Sequence, residues 1–249
     1  VVQEYGSVSS IVDPQQSPHH FNVLPSDRVN LARADMVVWI GPLFETRISD
    51  FFEQLDFKAK TITVIDILGL QLHGVGDGQI DAHVWLNSSN AVRIAKAIAE
   101  QAAEMDPVNE ASYHQNLRKF ISQIESTNRQ IAQKFQAPSA TNYAVYHNAY
   151  QYFEKQFGLQ HDMVILQDPE LQPGIRKTIE LQRQMNDQRP SCLLVEFDSS
   201  SDLVSTVLNG HELKQITVDL LGSNVNSIGH AYSEYIDNLV DDFYQCLYE

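Results

Sequence analysis

Nine histidines are spread along the chain, and three of them stand where coordination chemistry could use them. His19 lies in the loop DPQQSPHHFNVLP (13–25), beside His20 and after the run SVSSIV (7–12). His83 closes a glycine-rich stretch, and His147 ends the run YAVYH (143–147). Carboxylates occupy comparable places: Glu196 and Asp198 at the end of CLLVEF (192–197), and Asp219 in QITVDL (215–220). In α/β sheets, ligands gather beyond the carboxyl ends of the strands. Three histidines and several carboxylates are therefore expected to cluster at strand exits across both halves of the chain. Neutral imidazole is a borderline donor, and histidines joined by one carboxylate or water suit tetrahedral Zn²⁺.

Spacing alone carries little weight here, because these residues lie far apart, unlike HExxH or CxxC motifs. Taken singly, a histidine is an ordinary core or surface residue, and His73, His114, His161, His211 and His230 are read that way. Other chemistries lack their motifs. There is no GxSxG elbow, P-loop or GxGxxG, and GVGDG (74–78) does not join a strand to a helix. The formal charge of −15 over 249 residues opposes contact with phosphate backbones, so nucleic acid is not an expected partner. No run approaches the roughly 18–20 uncharged apolar residues of a membrane span, so no membrane insertion is expected. No signal peptide is visible at Val1, which suits either a cytosolic chain or a mature secreted one. Cys192 and Cys246 are too few for a cysteine-based zinc site; two buried thiols and one disulfide are both open from the residues alone.

The elements that must position these residues alternate. SVSSIV (7–12), MVVWI (36–40), TITVI (61–65), YAVYH (143–147), MVIL (163–166), CLLVEF and QITVDL read as strands. MVVWI suits a strand buried on both faces. Helices are expected at SDRVNLARA, capped by Ser26; at 43–55; after Ser88 or Ser89; and after the strands at 143, 163, 192 and 215. LGLQLHGVGDGQIDAH (68–83) reads as a loop. From 108 to about 136 one long helical run carries Tyr113, Leu117, Phe120, Ile121, Ile124, Ile131 and Phe135 at helical spacing, and its length invites a connecting role. The expected fold class is α/β: two lobes with parallel sheets joined by one long connecting helix. The expected boundaries are 1–107, 108–136 and 137–249.

Five segments carry a family resemblance: SPHHFNVLPSDRVNLARADMVVWIGPLFE (17–45), DAHVWLNSSNA (81–91), YHNAYQYFEKQFGL (146–159), CLLVEFDSS (192–200) and VDLLGSN (218–224). Together they resemble the zinc-binding, ZnuA-type members of the cluster A-I solute-binding proteins of ABC transporters, across nearly the whole chain. The resemblance implies two α/β lobes joined by a long rigid helix, with metal held in the cleft between them. It implies His19, His83, His147 and Asp219 as metal ligands, with Glu196 as a nearby acid that orients or replaces a ligand. Manganese members place a carboxylate where His147 stands, so a third imidazole favours Zn²⁺. It further implies a disulfide between Cys192 and Cys246, a periplasmic location, a monomer and delivery of the ion to an ABC transporter permease, with no enzymatic turnover. A manganese or broad-specificity importer is the alternative, and a zinc hydrolase using Glu196 as general base a more distant one.

Two departures from the family stand out. The stretch from Gly69 to Asp81 is short and holds His73 alone, so no scavenging loop is expected. The N-terminal lobe is also expected to lack the family's first strand and helix.

Overall fold

The computed structural model describes residues 1–249 apart from 3, 13–20, 47, 50, 51, 53–59, 77, 136–141, 169–170, 226–228 and 249. The chain divides into two compact units, Val1–Ser126 and Thr127–Glu249.

In the first unit, helix α1 (Pro25–Arg33) leads into strand β1 (Met36–Trp39), which pairs in parallel with β2 (Lys60–Thr63), Val37 against Thr61. Proline opens α1 because its missing N–H is one of those a helix start leaves unpaired. The cap differs from the expected Ser26: the Asp27 carboxylate accepts the Leu24 N–H at 2.7 Å. β1 is not buried on both faces, since Val37 is buried but Val38 is exposed. Among the described residues, SVSSIV forms no strand. Its Val8 stands 80% exposed, and strand propensity without packing against neighbours does not hold an extended chain.

The expected strand at 61–65 turns at Val64 into a 3-10 helix. The expected loop 68–83 contains a small antiparallel ribbon, β3 (Gly74–Gly76) with β4 (Gln79–Ile80). Gly76 and Gly78 take the positive φ that its tight return requires. Asn87, not Ser88 or Ser89, caps helix α2 (Ser88–Met105), its side chain accepting from the Asn90 N–H. Helix α3 (Glu110–Lys134) follows a 3-10 turn at Pro107–Asn109. Its 25 residues extend about 38 Å. Tyr113, Leu117, Ile124 and Ile131 are buried along it, and the division between the two units falls within it.

The second unit is a four-stranded parallel sheet in the order β6 (Met163–Leu166), β5 (Ala144–His147), β7 (Cys192–Glu196), β8 (Lys214–Val218). β5 and β7 are buried at every position, as continuous apolar runs in a sheet covered on both faces demand. On one face Ala144, Tyr146, Leu193 and Val195 pack against Leu181 and Met185 of α5 (Ile175–Gln188) and Leu203, Val204, Val207 and Leu208 of α6 (Ser201–Leu208).

The period-two alternation of a strand sends Cys192, Leu194 and Glu196 to the other face. That face meets α4 (Gln151–Phe157) and α7 (Ala231–Tyr248). There Tyr143, Tyr150, Phe153 and Phe243 form edge-on and tilted aromatic contacts at centroid distances of 4.8–5.7 Å. Full burial of each such ring contributes roughly 1.5–3 kcal/mol. Cys192 of β7 is bonded to Cys246 of α7 on this face.

Candidate metal centre

His83 sits at the entrance of a 3-10 turn, Val84–Leu86, just before α2. Its side chain is buried, and so is Asp81 two residues earlier. The Asp81 Oδ1 atom accepts the His83 backbone N–H at 2.9 Å and lies 2.7 Å from His83 Nδ1. A carboxylate only accepts hydrogen bonds, so Nδ1 is the donor in this pair, and in a neutral ring Nε2 is then the acceptor atom. A carboxylate behind the far nitrogen is the usual arrangement for a histidine that ligates a metal, because it fixes tautomer and ring orientation and raises basicity.

The ring is also fixed by packing. Phe44 meets it edge-on at 5.5 Å and Trp85 lies at 5.3 Å. Phe44 is placed by the turn after β1, where buried Glu45 accepts the N–H groups of Ile40 at 3.0 Å and Gly41 at 2.9 Å. Burial raises the Glu45 carboxyl pKa, and these backbone bonds oppose the rise. A side chain at Gly41 would collide with Ile65 at 2.8 Å, which explains the glycine.

In the second unit three candidate residues share the carboxyl edge of one sheet. His147 is the last residue of β5, in register with Leu166, and buried. Glu196 is the last residue of β7, paired with Val218 of β8, and Asp219 follows directly. Their environments differ. Glu196 is buried and accepts the Tyr150 hydroxyl at 2.5 Å and the Ser199 hydroxyl at 3.1 Å. Burial pushes its carboxyl up to about 7, against those two hydrogen bonds and with help from the Asp198 charge. Asp219 is half-buried, and its two oxygens accept the N–H groups of Ser223 at 2.9 Å and Asn224 at 2.7 Å, closing the turn after β8. Each carboxylate oxygen has a second lone pair, so that turn leaves coordinating capacity on Asp219.

The candidate residues are thus divided: His83 in the first unit, and His147, Glu196 and Asp219 together in the second. His19 and His20 lie outside the described residues. Among the described residues, no three His, Cys, Asp or Glu side chains form a metal-holding group. His161, read from sequence as an ordinary histidine, ties the end of α4 to its core. Its Nδ1 lies 2.8 Å from the buried Glu154 carboxylate, which also accepts the Tyr143 hydroxyl.

Sequence reasoning missed Asp81 and Tyr150. The D-x-H spacing was a usable signal for the first. Nothing in the sequence pairs Tyr150 with Glu196, 46 residues away.

Comparison with known proteins gives a concordant result. Solved structures of similar fold include one described as the crystal structure of ZnuA, with a TM-score of 0.84, 20% identity, and coverage of 98% of this chain and 91% of that one. The periplasmic zinc binding protein TroA from Treponema pallidum aligns with a TM-score of 0.79 and 18% identity, over 94% of this chain and 88% of its own. Among curated sequences, the high-affinity zinc uptake system protein ZnuA of Brucella abortus (strain 2308) is 26% identical over 99% of this chain and 87% of its own length. That of Yersinia pestis is 25% identical over 93% and 81%. The family model described as ZnuA, zinc-uptake complex component A, periplasmic, matches residues 1–246, and the chain belongs to that family.

Proposed function

We propose that this protein is a periplasmic solute-binding protein that captures Zn²⁺ with high affinity and delivers it to the permease of an ABC transporter. The family match over residues 1–246 carries this reading. The named relatives support it, since those of Brucella and Yersinia are high-affinity zinc uptake system proteins. A structure of similar fold is described as a ZnuA deletion mutant with zinc bound. Among the described residues no helix is long and apolar enough to cross a membrane.

In this reading His19, His83 and His147 bind the ion and Asp219 supplies the fourth, carboxylate position. Support comes from the chemistry of the donors. Buried His83 is preset by Asp81, and buried His147 shares the carboxyl edge of one sheet with Glu196 and Asp219. Neutral imidazoles with one carboxylate are a zinc-preferring set. Glu196 is held by Tyr150 and Ser199, so it shapes the site instead of ligating. Residues 108–136 act as the connecting helix between lobes spanning 1–107 and 137–249, the protein works as a monomer, and no turnover takes place: zinc is cargo.

The test is zinc titration against a competing chelator on the wild type and on His19→Ala, His83→Ala and His147→Ala. One tight site per chain, weakened at least about tenfold by each substitution, is expected. No tight site, or one indifferent to these changes, overturns the assignment.

A further inference from the structure

The turn that carries His83 is held from a second direction, by an amide. Asn90, on the first turn of α2, is fully buried. Its Oδ1 accepts the Gln71 N–H at 2.8 Å. Its Nδ2 donates to the Gln71 carbonyl at 2.9 Å and to the Val84 carbonyl at 3.2 Å. Asn87, whose Oδ1 takes the Asn90 backbone N–H at 3.0 Å, reaches the Gln71 side chain with its own amide at 3.3 Å. Asp81, the partner of His83, adds a further tie by donating its backbone N–H to the His73 carbonyl at 2.8 Å. The segment 71–73 is thereby laced to the residues on both sides of His83.

Only a primary amide can make these bonds at once, because it offers one acceptor oxygen and two N–H donors in a fixed plane. A carboxylate of the same shape would set an oxygen against the Gln71 and Val84 carbonyls. An aliphatic side chain would remove all three bonds and leave the buried Val84 carbonyl without this donor. Loops are the parts of a fold that open most readily, and ordering them at the moment of binding weakens affinity.

We propose that Asn90 is a positioning residue for metal capture: it locks segment 71–73 and the His83 turn into one arrangement, so that His83 Nε2 is preset before the ion arrives. The inference rests on the reading of His83 as a zinc ligand.

The experiment is a double-mutant cycle read by chelator-competition zinc affinity on the wild type, Asn90→Ala, His83→Ala and the double variant. Asn90→Ala is expected to weaken zinc about tenfold when His83 is present, and less than about twofold when His83 is already alanine, since coupled residues are not additive. An equal loss in both backgrounds, as a general destabilisation would give, overturns the role of Asn90 while leaving His83 a ligand. An unweakened Asn90→Ala variant overturns it too. If Asn90→Ala does not fold, Asn90→Ser, a small polar side chain too short to make these bonds, enters the same cycle under the same criterion. No tight site in the wild type, or indifference to His83→Ala, overturns both readings.

Discussion

A histidine becomes a competent ligand through its neighbours. His83 shares the Asp81 carboxylate between its backbone and its ring, at 2.9 and 2.7 Å, which fixes both the main chain and the tautomer. Asp81→Ala removes both constraints and is expected to weaken zinc binding about 10–100-fold. Asp81→Asn keeps an oxygen acceptor without the charge, and its affinity should fall between those of wild type and alanine. Chelator competition on the three proteins checks the order. An Asp81→Ala variant that binds like wild type would make the pair a spectator. The positions of His147 and Glu196 at strand ends were legible in the sequence, because each closes a continuous apolar run. The partners of the candidate residues went unread: Asp81 lies two residues from His83, a spacing that offered a usable signal. Tyr150, which holds Glu196, comes from a different element.

At the scale of elements, legibility followed burial. β5, β6 and β7 read correctly because covered strands are continuous apolar runs. The first unit read less well. SVSSIV has β-branched residues but forms no strand, and the glycine-rich 68–83 stretch hides a two-stranded ribbon held by backbone bonds that side-chain patterning cannot report. Helix starts were misplaced by a residue or two because Leu24, with its N–H held by Asp27, and Asn87 stand at the caps where serines had been expected. The pairing of Cys192 with Cys246 joins β7 to α7 across 54 residues of sequence. Closing such a loop constrains the unfolded chain by about 4 kcal/mol in the chain-entropy account. Replacing both cysteines with alanine is therefore expected to lower the melting temperature of the apo protein by about 10 °C. Thermal denaturation of the two proteins decides it, and an unchanged midpoint would show that packing of Phe243 and Leu247 alone secures α7.

Over the whole molecule, two pH dependences should run in opposite directions. Burial pushes the carboxyls of Glu196 and Asp242 up to about 7, Asp242 also through the charges of Asp241 and Asp219. A raised carboxyl pKa means that the folded state binds the proton more tightly than the unfolded chain does. The stabilisation is complete below the unfolded values of 4.5 and 3.8 and is lost as pH rises toward about 7. These two groups thus make the apo protein less stable at pH 8 than at pH 5, and Asp242→Asn should flatten that fall. Zinc acts the other way. An imidazole must be neutral to ligate, and ordinary histidine titrates near 6.5, so binding strengthens as pH rises through about 6–7. A ligand bound only by the folded state adds stability that grows with its affinity, about 4 kcal/mol at a thousandfold excess over Kd. The gap between zinc-loaded and apo melting temperatures is therefore expected to widen steadily from pH 5 to pH 8. Parallel melts with zinc and with chelator at each pH measure it. A gap that stays constant across that range would mean that histidines do not hold the ion.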